Sequence, residues 1–118
     1  MVYNNRQMRE QTMSNHVQIH IAKDFSEYPA GRYKEHGPNS GERFRDEILA
    51  PAFLNNPGKN VHVNIGDILG YGSSFLEEAF GGLIREYDLT KEDVLARLEI
   101  KNGLKSDRLR IIDFIQEA

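Results

Sequence analysis

The stretch Gly72-Ser73-Ser74-Phe75-Leu76-Glu77-Glu78-Ala79-Phe80-Gly81-Gly82-Leu83 follows the clearest strand pattern in the chain and opens its clearest helix. Before it, Val61, Val63 and Ile65 alternate with His62 and Asn64, the period of two expected of a strand with unlike faces. From Ser74 to Tyr87 the apolar residues Leu76, Ala79, Phe80, Leu83, Ile84 and Tyr87 fall on one helical face. A strand, a polar loop over Gly66 to Gly72 and a helix start make the arrangement in which α/β proteins hold ligands and modified residues. Gly81 and Gly82 each cost a helix interior about 1 kcal/mol against Ala, so they predict close backbone packing on a sheet.

Working outward, His16 to Phe25 repeats the alternation, with Val17, Ile19 and Ile21 opposite His16, Gln18 and His20. Tyr28 to Pro38 reads as loop with a short strand at Arg32 to Lys34. A helix is expected from about Ser40 to Leu54, capped by Asn39 or Ser40 with Glu42 completing a capping box, and kinked at Pro51. Thr90 caps a short helix over Lys91 to Arg97, and Leu98 to Asn102 forms a strand. Ser106 caps a last helix that turns Leu109, Ile112 and Ile115 inward. Strands alternating with helices predict a mostly parallel sheet in one α/β domain over residues 16–118, preceded by an arm over residues 1–15.

The 118 residues carry a net charge of −3 with 28% charged side chains and no acidic or basic run longer than two. That balance excludes a general nucleic-acid binder, whose phosphate contacts need clustered cations, and a polybasic membrane patch. Cysteine is absent, which excludes disulfides, thiolate catalysis and cysteine-ligated metals. No apolar run approaches the roughly 20 residues that span a bilayer, and Met1 to Asn15 lacks the apolar centre of a secretion signal, so cytoplasm is the expected location.

Two blocks carry a family resemblance. Gly31-Arg32-Tyr33 with Gly37-Pro38-x-Ser40-Gly41-Glu42-x-Phe44-Arg45, and Ser73-Ser74-Phe75-Leu76-x-Glu78-Ala79-Phe80-Gly81-x-Leu83, resemble a bacterial family described as a STAS-like domain of unknown function. The similarity runs from about Val17 to Asn102. It implies a STAS-like α/β fold, a mixed, mostly parallel sheet of about four strands with helices mainly on one face. STAS domains that antagonise anti-sigma factors carry Asp-Ser-Ser/Thr-Gly-Leu-Gly at the equivalent helix start. There a GHKL-type kinase both binds the domain and phosphorylates the serine. Ser73 falls on that serine and Leu76 on the Leu, whereas Gly72, Phe75 and Glu77 replace the Asp and the two glycines. The resemblance thus implies a small regulatory protein-binding domain, with Ser73 as phosphorylation candidate and a GHKL-type ATPase or kinase as partner.

Candidate contacts for that partner are Ser74, Phe75, Glu77 and Glu78 at one loop-to-helix junction and Arg32, Ser40, Arg43 and Arg45 at the other, if the two share an edge. Ser74 and Glu77 also read as a capping box, Glu78 as a solvated side chain, and Phe75 as core rim or anchor. The alternative is an interaction protein without a switch, either an inhibitor or a homo-oligomeric subunit. No nucleophile, base and oxyanion donor converge, so no enzyme is expected. No P-loop or dinucleotide motif follows Gly66, and His16, His20 and His62 are too scattered for a metal, so no cofactor or metal is expected.

Overall fold

The computed structural model describes residues 16–118; the expected arm, residues 1–15, lies outside the described residues. Three strands, β1 (His16–His20), β2 (Asn60–Asn64) and β3 (Leu98–Lys101), form a parallel sheet in the order β1-β2-β3. Register pairs Ile19 with Val63 and Val63 with Ile100, so the aliphatic residues of all three strands share one face. Ile19, Val61, Val63 and Ile65 are buried there, whereas Gln18 and Glu99 on the opposite face are exposed. A fourth strand is not formed among the described residues. The expected strand at Arg32 to Lys34 is instead bend and a 3-10 turn, Lys34–His36. Its backbone is held by the start of the following helix: Gly31 O and Arg32 O accept from Gly41 N and Glu42 N at 2.9 and 3.0 Å. Those atoms are therefore unavailable for a sheet edge.

Helix α1 spans residues 41–54 and α2 residues 73–86, and each has a wide, π-type turn in its middle, Arg45–Leu49 and Glu77–Gly81. The disturbance expected at Pro51 is not seen there: α1 runs helically through it over Ala50–Leu54, and its wide turn ends earlier, at Leu49, as α2 has the same turn without a proline. Helices α3 (Lys91–Arg97) and α4 (Lys105–Glu117) complete the domain. Phe44, Phe53, Phe75, Leu76, Phe80, Leu83, Ile111 and Ile115 form the buried layer beneath the sheet.

Capping follows the sequence in part. Ser40 accepts from Arg43 N and Thr90 from Asp93 N, both at 3.1 Å. Asn39 does not cap α1, and Glu42 instead accepts from Lys34 N at 2.8 Å, tying α1 to the preceding loop. Helix α4 begins at Lys105 without a side-chain cap from Ser106. It buries Asp107, Ile111 and Ile115, leaving Leu109 exposed, because the i, i+4, i+8 row from Asp107 faces α2.

The start of α1 lies directly against α2. A Cβ on Gly41 would overlap the carbonyl oxygen of Phe75 and press on Ala79 N. Neither obstacle can move without unwinding α2, so Gly41→Ala is expected to cost about 1–3 kcal/mol. Thermal denaturation would read this as a lowered Tm, whereas Gly72→Ala, with open space around its Cβ position, would leave Tm nearly unchanged.

Candidate functional site

The contact at Gly41 brings the two loop-to-helix junctions side by side, and charged residues fill the space around it. Arg45, the first residue of the wide turn in α1, donates to the carboxylate of Glu78 in the wide turn of α2. The same nitrogen reaches Glu78 O at 3.3 Å, and Arg45 Nε donates to Asp46 at 2.9 Å. Arg45 is 4% exposed and Glu78 5%. Arg32 comes in from the loop before α1, with Nη1 2.5 Å from Glu77 and 3.3 Å from Glu78. Arg85, two turns along α2 from Glu77, closes the group with bonds of 2.5 and 3.0 Å to that carboxylate.

Four of the sequence-predicted contact residues, Arg32, Arg45, Glu77 and Glu78, thus meet in one network. Their roles differ from the expectation. Glu77 serves two arginines and makes no capping box with Ser74; α2 begins after Gly72 with no side-chain cap. Glu78 is buried rather than solvated. Phe75, 1% exposed, packs on Phe44 and Tyr71 in the core and is no surface anchor. Ser40 is fully buried as the cap of α1. Arg43 stays at the surface, 3.0 Å from Glu47.

Gly81 and Gly82 also have a different reason from the one expected. A Cβ on Gly82 would run into the guanidinium of Arg45, and one on Gly81 into the carboxylate of Glu77. The glycines make room for ion pairs rather than for a sheet.

Paired charges set the local acidities. Hydrogen bonds from Arg85 and then Arg32 hold the Glu77 carboxyl below the usual glutamate range, against the opposing effect of burial. Burial pushes Asp46 upward, but bonds from Arg45 and Tyr87 more than offset it and leave Asp46 low. A carboxyl whose folded pKa is depressed contributes stability above its unfolded pKa, about 4.3 for Glu, and loses it as pH falls through the folded value. Glu77→Gln is therefore expected to flatten the loss of stability below about pH 4.3, read from urea midpoints between pH 7 and acid.

The buried pair gives a second test. Removing one partner of a buried ion pair costs about 3–5 kcal/mol, because the other charge is left without compensation. Glu78→Ala is expected to fall in that range by urea denaturation. The double variant Arg45→Met with Glu78→Leu is expected to be more stable than Glu78→Ala alone.

Ser73 lies at the outer end of this edge, exposed, as the first residue of α2. Its hydroxyl accepts from Arg110 Nη1 at 2.6 Å. Arg110 Nη2 donates to Tyr71 O at 2.8 Å and to the carboxylate of Asp107, which is 2% exposed. Burial, with Asp107 nearby, pushes the Tyr71 hydroxyl well up, and that hydroxyl donates to Ile65 O at 3.0 Å. Sequence reasoning missed Asp107 and Arg110. The signal was the row Asp107, Ile111, Ile115, which competes with the row through Leu109.

Three of the four histidines, His16, His20 and His62, divide between the rows of the open sheet face. His16 and His62 stack at 4.1 Å, and His20 lies 3.0 Å from Asp67. Among the described residues no three His, Cys, Asp or Glu gather as a metal set, and no helix is long and apolar enough to cross a membrane.

A family model described as a STAS-like domain of unknown function matches residues 40–108, from the cap of α1 into α4. The chain belongs to that family. The match takes in both junctions, the Arg45–Glu78 pair and Ser73 of this STAS-like domain. No curated protein and no solved structure matches the chain.

Proposed function

We propose that this STAS-like domain is a small regulatory protein-binding module, docked by its partner at the edge around Ser73 and switched by phosphorylation of that serine. The partner class that the resemblance implies is a GHKL-type ATPase or kinase. The reading rests on the setting of Ser73, an exposed hydroxyl with the Arg110 guanidinium 2.6 Å away. Phosphorylation would form an Oγ–P bond as the γ-phosphoanhydride of a nucleoside triphosphate breaks. The diphosphate leaves, and the hydroxyl proton passes to a base of the kinase. Arg110 offers the added charge a cation. Glu77, one helical turn on, would otherwise repel it, but Arg32 and Arg85 offset that carboxylate.

An apolar surface adjoins the same edge. Tyr28 and Pro29 face Ile68 and Leu69 across a groove of about 410 Å³, with Tyr28 76% exposed and Leu69 wholly so. Exposed aromatic and aliphatic side chains beside a modifiable residue suit a docked protein surface. Ser73, Ser74, Tyr28 and Leu69 then take the contact role that the buried Phe75, Ser40, Arg45 and Glu78 cannot. The arginine-held, low-pKa Glu77 is poorly matched to acid–base work near neutrality, which supports a binding role over a catalytic one.

The test is intact mass and phosphosite mapping on protein recovered gently from its native host, combined with binding of Ser73 variants. A phosphate on Ser73, a co-purifying GHKL-type ATPase and binding weakened about tenfold by Ser73→Asp are expected. Ser73→Ala should keep its binding in the presence of nucleoside triphosphate. An unmodified protein whose Ser73→Asp variant binds like wild type overturns the switch and leaves an interaction module. Recovery without any protein partner overturns the docking itself.

A further inference from the structure

The sheet face turned away from the helices carries hydrogen-bonding side chains in every row. Register places Gln18, His62 and Glu99 side by side, and His20, Asn64 and Lys101 in the next row. A cleft of about 310 Å³ opens over them, lined by Gln18, Ile19, His20, Asp24, His62, Asn64 and Lys101. His20, Asn64 and Lys101 end their strands, so the cleft lies at the carboxyl edge of the parallel sheet, where α/β folds hold small ligands. Its volume suits a small molecule.

The polar groups are unevenly satisfied. Asn64 Oδ1 accepts from Gly66 N at 2.7 Å, which leaves its amide N–H groups to donate. Asp24, the carboxylate of the lining, already accepts from His20 N at 2.7 Å. Lys101 has no ion pair among the described residues. His62 Nε2 lies 3.0 Å from the Glu99 carboxylate, which favours the tautomer protonated there. His62 Nδ1 is then a buried atom with no hydrogen-bond partner among the described residues. A buried polar atom without a partner is costly, because it has given up water and gained no bond in exchange.

We propose that this cleft binds a small oxyanion, a phosphate or carboxylate group, held by Lys101 and the Asn64 amide and by His62 in its doubly protonated form. The anion supplies Lys101 with a counter-charge and His62 Nδ1–H with an acceptor, while Glu99 keeps Nε2–H. Without an anion, burial first, and then Lys101 and His16, hold His62 below its usual range, with Glu99 acting the other way. His20 and Asp24 complete the charged and titratable groups that line the cleft. Binding therefore takes up a proton near neutral pH and tightens as pH falls.

The test uses the full chain and follows the His62 imidazole by NMR during titration with sodium sulfate or sodium acetate, against sodium chloride at matched ionic strength. Sulfate stays dianionic from pH 5.5 to 8, so any pH dependence belongs to the protein. A saturable His62 shift is expected, tighter at lower pH, and weakened about tenfold by Lys101→Gln at an exposed position that keeps the fold. His62→Gln, followed by calorimetry, should remove the pH dependence. Saturation by sulfate but not acetate assigns a phosphate-type ligand, and the converse assigns a carboxylate. Shifts that chloride reproduces, that never saturate, or that Lys101→Gln leaves unchanged overturn the proposal.

Discussion

Helices α1 and α2 start from the same edge of the sheet and approach until the Gly41 backbone lies against the Phe75 carbonyl. At that separation Arg45 and Glu78 have almost no route to water and must satisfy each other. Neighbouring features follow from this constraint. The wide turns in both helices hold the paired charges, Gly82 leaves space for the guanidinium, and Arg32 closes the outer side through both carboxylates. Moving two charges out of water is costly, and replacing such a pair with well-packed apolar residues is often neutral or stabilising. The pair therefore serves orientation more than stability, fixing which turn of α1 faces which turn of α2.

The same constraint bears on the candidate site. Ser73 and the loop before α1 are fixed to each other through α2 and Arg32, so the edge presents two segments in a set relation. Arg110 extends that relation to α4, because one guanidinium serves the Ser73 hydroxyl, the Tyr71 carbonyl and buried Asp107 together. A charge added at Ser73 would compete for a cation that three elements already share.

Much of this was legible in the chain because it rests on local pattern. The alternation through Val61 and Ile65, the apolar row through Leu76 and Leu83, and the blocks around Ser40 and Ser73 gave the strands, the central helix and the family. Long-range electrostatics hid the rest. Glu78 reads as solvated because Arg45, 33 residues earlier, has no periodic relation to it. Glu77 fits a capping box by spacing, yet two arginines bind its carboxylate more strongly than a backbone N–H does. Helix α4 offers two overlapping apolar rows, and only the position of α2 chooses between them. The segment at Arg32 has strand-like residues, but its backbone groups are taken by Gly41 and Glu42.

The strand order has a consequence for how the chain assembles. Each strand pairs with its neighbour in sequence, so none has to be threaded between two already joined. A nascent chain can lay β2 on β1 with α1 already wound, then add α2 and β3 at the free edge. Loop-closure entropy is met one crossover at a time, which favours stepwise accretion over a single long-range collapse. Helix α4 follows β3, and with Ile111 and Ile115 it covers the apolar layer of α2, so that layer closes only after all three strands are in place.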